Sequence, residues 1–120
     1  MNPRAIEYTA KVGNWANWGG DKVWIWSQDD WPKLFGKTWS PPHEADPGPY
    51  QCEVRSNGVV LTSRPVAGCG VRIVRTIELA RVGSQLSLTT CLLPVAESAP
   101  APLPIAAWTI TQVPTPGSRL

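Results

Sequence analysis

Tyr50-Gln51-Cys52-Glu53-Val54-Arg55-Ser56-Asn57-Gly58-Val59-Val60-Leu61-Thr62-Ser63 reads as two short strands folded about an Asn-Gly pair. Asn-Gly between apolar, β-branched runs is the strongest short-range hairpin signal a sequence carries. The expected strands are Tyr50 to Arg55 and Val59 to Ser63. Val71 to Val82 follows and alternates, with Val71, Ile73, Ile77 and Leu79 on one face. Arg75 falls on that same face and interrupts it. Gly83-Ser84 then turns the chain into Gln85 to Leu93, where Leu86, Leu88 and Leu92 share a face with Thr90. Each strand offers one apolar face, which is what one layer of a sandwich requires. The fold class expected is all-β, an antiparallel β-sandwich.

Outward from this β zone the texture changes on both sides. Residues 96–104 hold three prolines and three alanines, a loop that cannot pair in a ladder. A last strand is expected over Ile105 to Val113, before a tail with Pro114 and Pro116. Upstream, residues 1–49 carry six of the seven tryptophans among Gly, Pro, Asn and Asp, and read as Trp-rich loops and short strands. No helix is expected beyond a turn or two around Asp29 to Phe35. At 120 residues the whole chain, 1–120, reads as one β domain.

The bulk numbers exclude several functions. Eleven Lys and Arg against nine Asp and Glu give a net charge of +2, too weak a field for a duplex-binding surface that must neutralise several phosphates. Trp31, Lys33, Phe35, Lys37 and Trp39 recur at every second position and would stack single-stranded bases if extended. Pro32 and Gly36 break that stripe, and no nucleic-acid partner is expected. No run approaches the ~18 apolar residues of a membrane span. Met1 to Ala10 has no apolar h-region, so a cytoplasmic chain is the default expectation. Cys52, Cys69 and Cys91 are odd in number, widely spaced and accompanied by one histidine. Free buried thiols are expected, with no metal site and no cofactor.

The Trp-rich zone and the strands carry an ordered text. Asn17-Trp18-Gly19-Gly20-Asp21-Lys22-Val23-Trp24 is followed by Trp31-Pro32, Ser40-Pro41-Pro42 and Gly48-Pro49-Tyr50. Leu61-Thr62-Ser63, Val71-Arg72-Ile73-Val74-Arg75-Thr76-Ile77 and Trp108-Thr109-Ile110-Thr111-Gln112-Val113 complete it. Taken in this order, residues 14–113 resemble a bacterial family of unknown function in the galactose-mutarotase-like superfamily. The resemblance implies part of a large antiparallel supersandwich with a sugar-sized cleft on one face. Family domains are commonly more than twice this length, so the chain corresponds to a central portion.

The same resemblance weakens an enzymatic reading. Aldose epimerases use a histidine acid and a carboxylate base on opposite sides of the sugar. Trp18 and Trp108 stand where the resemblance places the two histidines. His43, in Pro41-Pro42-His43-Glu44, has neither context and reads as a solvated loop side chain. Tryptophan is more informative, because flat C–H-rich sugar faces pack on an indole. The expected core includes Trp24 with Val23 and Ile25, plus Trp108. The candidate ligand-binding set is Trp18, Asp21, Lys22, Trp31, Arg75 and Trp108. Asp21 would accept from sugar hydroxyls and Lys22 or Arg75 would donate. Arg75 stands out, because a charge on an apolar strand face needs a reason.

The function expected is a non-catalytic module for a carbohydrate or another small polar-apolar ligand. The competing readings are an epimerase or lyase completed by oligomerisation, and a structural fragment without an active site. A truncated sandwich leaves an apolar face and unpaired edges, so self-association as a homodimer or higher closed oligomer is expected, through sheet faces or edges.

Overall fold

A computed structural model of the chain describes residues 20–25, 28–36, 40–46, 48–95 and 105–112. Six strands run in chain order: β1 (Gly20–Ile25), β2 (Gln51–Arg55), β3 (Gly58–Thr62), β4 (Val71–Leu79), β5 (Leu86–Pro94) and β6 (Ala107–Gln112). A 3₁₀ turn at Gln28–Asp30 leads into a short helix, α1 (Trp31–Phe35), with Pro32 in its first turn, where a missing N–H costs nothing. The strands form two antiparallel sheets, β2-β3-β4-β5 and the ribbon β1-β6. The all-β, sandwich-like class read from the sequence is therefore what the chain adopts.

The registers fix which side chains share a face. Cys52 and Val54 of β2, Val59 and Leu61 of β3, and Val71, Ile73, Arg75, Ile77 and Leu79 of β4 project to one side. Leu86, Leu88, Thr90, Leu92 and Pro94 of β5 join them. The ribbon lies over one end of this face, where Val23 and Ile25 pack with Val71 and Ile73. Ala45 and Val66 complete that core, and Phe35, Tyr50, Cys69, Leu92 and Ile105 pack around it. At the other end of the same face, Val54, Leu79, Leu86 and Leu88 are exposed.

The hairpin forms where expected, but Asn57-Gly58 is not its corner. Arg55 pairs with Gly58, which leaves Ser56 and Asn57 at the turn, and neither has a positive φ. Gly58 belongs to β3 and is required for closeness. A methyl group there would overlap the backbone carbonyl of Ile77. Asn57 instead ties off β4: its carbonyl accepts from the Leu79 N–H at 2.8 Å. The strand expected to reach Val82 stops at Leu79, and residues 80–85 form the connection, with Ala80 N–H donating to the Gln85 carbonyl at 2.9 Å.

The turn or two of helix expected around Asp29 to Phe35 is present, so Trp31, Lys33 and Phe35 are not laid out as an extended stripe, and Lys33 bonds Asp30 at 3.1 Å. Another expectation changes. Cys52 and Cys91 are exposed and only Cys69 is partly buried; all three are free. The buried-thiol expectation fails for the first two because β2 and β5 are the edges of the sheet. No helix among the described residues is long and apolar enough to cross a membrane.

Candidate functional site

β1 brings the first of the expected site residues to the sheet. Asp21, opposite Thr111 in the ribbon, faces the large sheet, where Arg75 points up from β4. The Arg75 guanidinium bonds Asp21 twice, through Nη2 to Oδ1 and through Nη1 to the backbone carbonyl, the latter at 3.4 Å. The Thr111 hydroxyl donates to the second carboxylate oxygen of Asp21. Arg75 is only 7% exposed, and burial presses its guanidinium downward from its ordinary pKa. Partnering with Asp21 is what makes a cation tolerable in this apolar row. The charge that interrupts the alternation has its reason: it clamps the ribbon to the sheet.

This clamp is one wall of a cleft of about 310 Å³. Asp21, Lys22, Asp46, Tyr50, Leu61 and Arg75 all reach it. The opposite wall is formed by Ala45, Asp46, Gly48 and Tyr50. There the Gly48 N–H donates back to the His43 carbonyl at 2.5 Å, and a methyl at Gly48 would overlap that carbonyl oxygen. The tight return swings Asp46 and Tyr50 toward β1. Asp46 Oδ2 accepts from the Trp24 indole N–H at 3.0 Å, and the Tyr50 hydroxyl donates to the Ala45 carbonyl at 2.9 Å.

The electrostatics follow from this crowding. Burial pushes Lys22 below its ordinary pKa, and the nearby Asp46 carboxylate pulls it partly back. Burial, with Asp46 adding to it, pushes the Tyr50 phenol up to about 12. The cleft thus presents a cation, an anion and a neutral phenol within one small volume. The described residues hold no group of three side chains able to ligate a metal.

Of the six ligand-binding candidates, Asp21, Lys22 and Arg75 converge on the cleft. The role given to Asp21 changes. Both of its carboxylate oxygens are engaged, by Arg75 and Thr111, so it is a strut and not a ready acceptor for sugar hydroxyls. Trp31 is fully buried, its indole N–H donating to the Ile25 carbonyl at 3.0 Å. It belongs to the core because α1 seats it against Trp24, at 5.5 Å between ring centroids, and against Phe35 at 6.4 Å. Trp108 lies edge-on to Trp24 at 5.4 Å and is 43% exposed, away from the cleft lining. Trp24 is buried, as expected. Trp18, with Trp15, Trp26 and Trp39, lies outside the described residues.

Sequence reasoning missed Asp46 and Tyr50. The one signal was general and named neither position: a buried indole needs an acceptor for its N–H, and for Trp24 that acceptor is Asp46. His43 and Glu44 line a separate depression with Leu34, Phe35 and Pro42. No family model, curated protein or solved structure matches the chain.

Proposed function

We propose that the cleft holds a small polyhydroxylated ligand, a carbohydrate of single-ring size, and that the chain is a binding module. What carries this reading is the convergence of Lys22, Asp46 and Tyr50 around about 310 Å³ of space between ribbon and sheet. A sugar ring presents donors and acceptors in turn around its rim. One ammonium, one carboxylate and one phenol in a small concave site are the complementary set, and the volume stands at the low end of small-molecule pockets. Ring opening would require an acid and a base facing each other across the ligand. His43 and Glu44 serve a different depression. The partial galactose-mutarotase-like supersandwich is part of this proposal and rests on the ordered motifs from Asn17 to Val113.

The test is a titration of the full chain with mono- and disaccharides, followed by tryptophan emission. Trp24 reports on the site because its indole is bonded to Asp46. A saturable change is expected, lost in Lys22→Ala with the circular dichroism spectrum unchanged. No saturable change across the panel would sink the proposal. Polarimetry on glucose and galactose is expected to show mutarotation at the spontaneous rate. Acceleration that disappears in His43→Ala would replace the binding module with an enzyme.

A further inference from the structure

The two edges of the large sheet are built differently. β2 is five residues long and carries Glu53 and Arg55, bonded to each other at 3.3 Å. A short, charged edge is the usual protection against pairing with another chain. β5 has none of it. Its nine residues, Leu86-Ser87-Leu88-Thr89-Thr90-Cys91-Leu92-Leu93-Pro94, include no charge and no proline before the last position. Seven of the nine are exposed, on both faces.

The hydrogen-bond phase shows what this edge offers. Ala80 N–H donates to Gln85 and Val95 N–H to Gly70. In an antiparallel ladder that phase turns the odd-numbered residues of β5 toward β4. Leu86, Leu88, Thr90 and Leu92 therefore aim both N–H and C=O outward, and Pro94 aims a C=O alone. Among the described residues no strand pairs with them.

We infer that β5 is a self-association edge, pairing antiparallel with β5 of a second copy about a two-fold axis at Thr90. Paired residues must share a face, and Thr90 is the midpoint of the strand. Thr90 then exchanges two bonds with its own copy, and Leu88 exchanges two with Leu92 of the second chain. Leu86 donates to the Pro94 carbonyl opposite. Every outward N–H is used, and the one position lacking an N–H falls at the end, where an edge tolerates proline. The arrangement sets the exposed Leu86 and Leu88 of each copy beside Leu92 and Pro94 of the other, next to the ribbon-covered end. An uncharged edge supplies nothing to select a charged partner, and the three prolines of the sequence 96–104 lack the N–H that a ladder requires. At about 3.4 Å per residue the edge runs roughly 30 Å. That places the contact at the small end of specific interfaces, below about 1,200 Å² in total, so a dimer dissociating in the micromolar range is expected.

Sedimentation equilibrium of the full chain from 1 to 200 µM, about that range, is expected to move from 13.1 kDa toward twice that mass. Leu88→Lys places two like charges at the junction. It is expected to weaken dimerisation at least tenfold with an unchanged circular dichroism spectrum. Thr90→Pro removes only an outward N–H and is expected to do the same. In a Cys52→Ser, Cys69→Ser background, Thr89→Cys puts a thiol opposite Cys91 of the second copy, in a non-hydrogen-bonded pair of about 4.5 Å between Cα atoms. Mild oxidation is expected to give a covalent dimer. A monomer throughout would mean that the edge is covered within the chain, residues 1–19 included, and overturns the inference. So does a dimer indifferent to Leu88→Lys, or one that fails to cross-link. If Thr90→Pro fails to fold, Leu88→Lys and the cross-link decide.

Discussion

The two ends of one sheet face make an instructive pair. At one end Val71, Ile73 and Arg75 are almost entirely enclosed. Four residues further along β4, Leu79 is 58% exposed, and its cross-strand partner Leu86 is 51% exposed. The side chains at the bare end are at least as apolar as those at the covered end, and apart from Arg75 the apolar alternation runs through both. The difference is the ribbon above, held down at Asp21 and Arg75. Periodicity selects the face that seeks cover; it says nothing about what provides the cover or how far it extends. A charge on an apolar row marks where the cover is pinned.

The widest gap between the two ends is expected in side-chain truncation. Ile73, 0% exposed at the centre of the core, is expected to cost about 2–5 kcal/mol as Ile73→Ala, because the cavity cannot fully collapse. Leu79→Ala, on the same strand and face, is expected to stay within about 0.5 kcal/mol. Urea unfolding of the two variants, at concentrations below dimerisation, checks both. Equal costs would show that the bare end is covered in solution.

The clamp separates pinning from stabilising. Asp21→Leu strands the Arg75 cation under the ribbon, and a loss of about 3 kcal/mol is expected, the low end for a broken buried pair because Asp21 keeps some solvent contact. Replacing both, Asp21→Leu with Arg75→Leu, is expected to recover most of that loss, since burying two ions is itself costly. A double variant as unstable as the single one would mean that the pair contributes net stability. The cycle, measured by chemical denaturation, decides between them.

Gly58 tests whether the bare end is soft throughout. Val54, on the paired strand, is exposed, yet the backbone of Gly58 lies against the Ile77 carbonyl. Gly58→Ala is expected to cost about 1–3 kcal/mol by forcing β3 and β4 apart. Hydrogen exchange is expected to rise along β3–β4, including Thr62 and Val74 near the covered end.

Much of this was legible in the chain. The alternation of β4 and β5 gave the correct faces, and the odd charge on that face correctly flagged Arg75. Asp21, Lys22 and Arg75, all candidates from the sequence, meet in one cleft. What stayed hidden depends on long-range placement. Nothing local says that Trp31 enters a helix and the core, or that Asp46, 22 residues beyond Trp24, receives its indole N–H. Asn57-Gly58 announced a hairpin correctly, but Gly58 serves the approach of the next strand, which lies nineteen residues on at Ile77. The extent of the ribbon could not be read at all, because β1 and β6 lie at opposite ends of the chain.

The smallest expected effect is in pH. The rows at the bare end, Val54, Val59, Ile77, Leu79, Leu86 and Leu88, carry no titratable group, whereas the covered end is flanked by Tyr50, Lys22 and Arg75. Tyr50 has its folded pKa pushed up to about 12 from 10.0, by burial and then by Asp46. Between those values the unfolded phenol has lost its proton while the folded one keeps it, so the folded state binds more protons and stability falls as pH rises. The contribution is complete below about pH 10 and gone above about pH 12. Two pH units bound it at roughly 2.7 kcal/mol, and partial solvent contact reduces that to about 1 kcal/mol. Lys22, whose pKa is lowered by burial, works in the opposite direction as it sheds its charge, so the raw pH profile mixes the two. Tyr50→Phe isolates the phenol. It is expected to cost about 1 kcal/mol at neutral pH, for the lost bond to the Ala45 carbonyl, and that deficit is expected to shrink steadily from pH 10 upward. A deficit that stays constant to pH 11.5 would mean that Tyr50 titrates like a solvated phenol, and that the ribbon and the opposite wall do not close over the cleft.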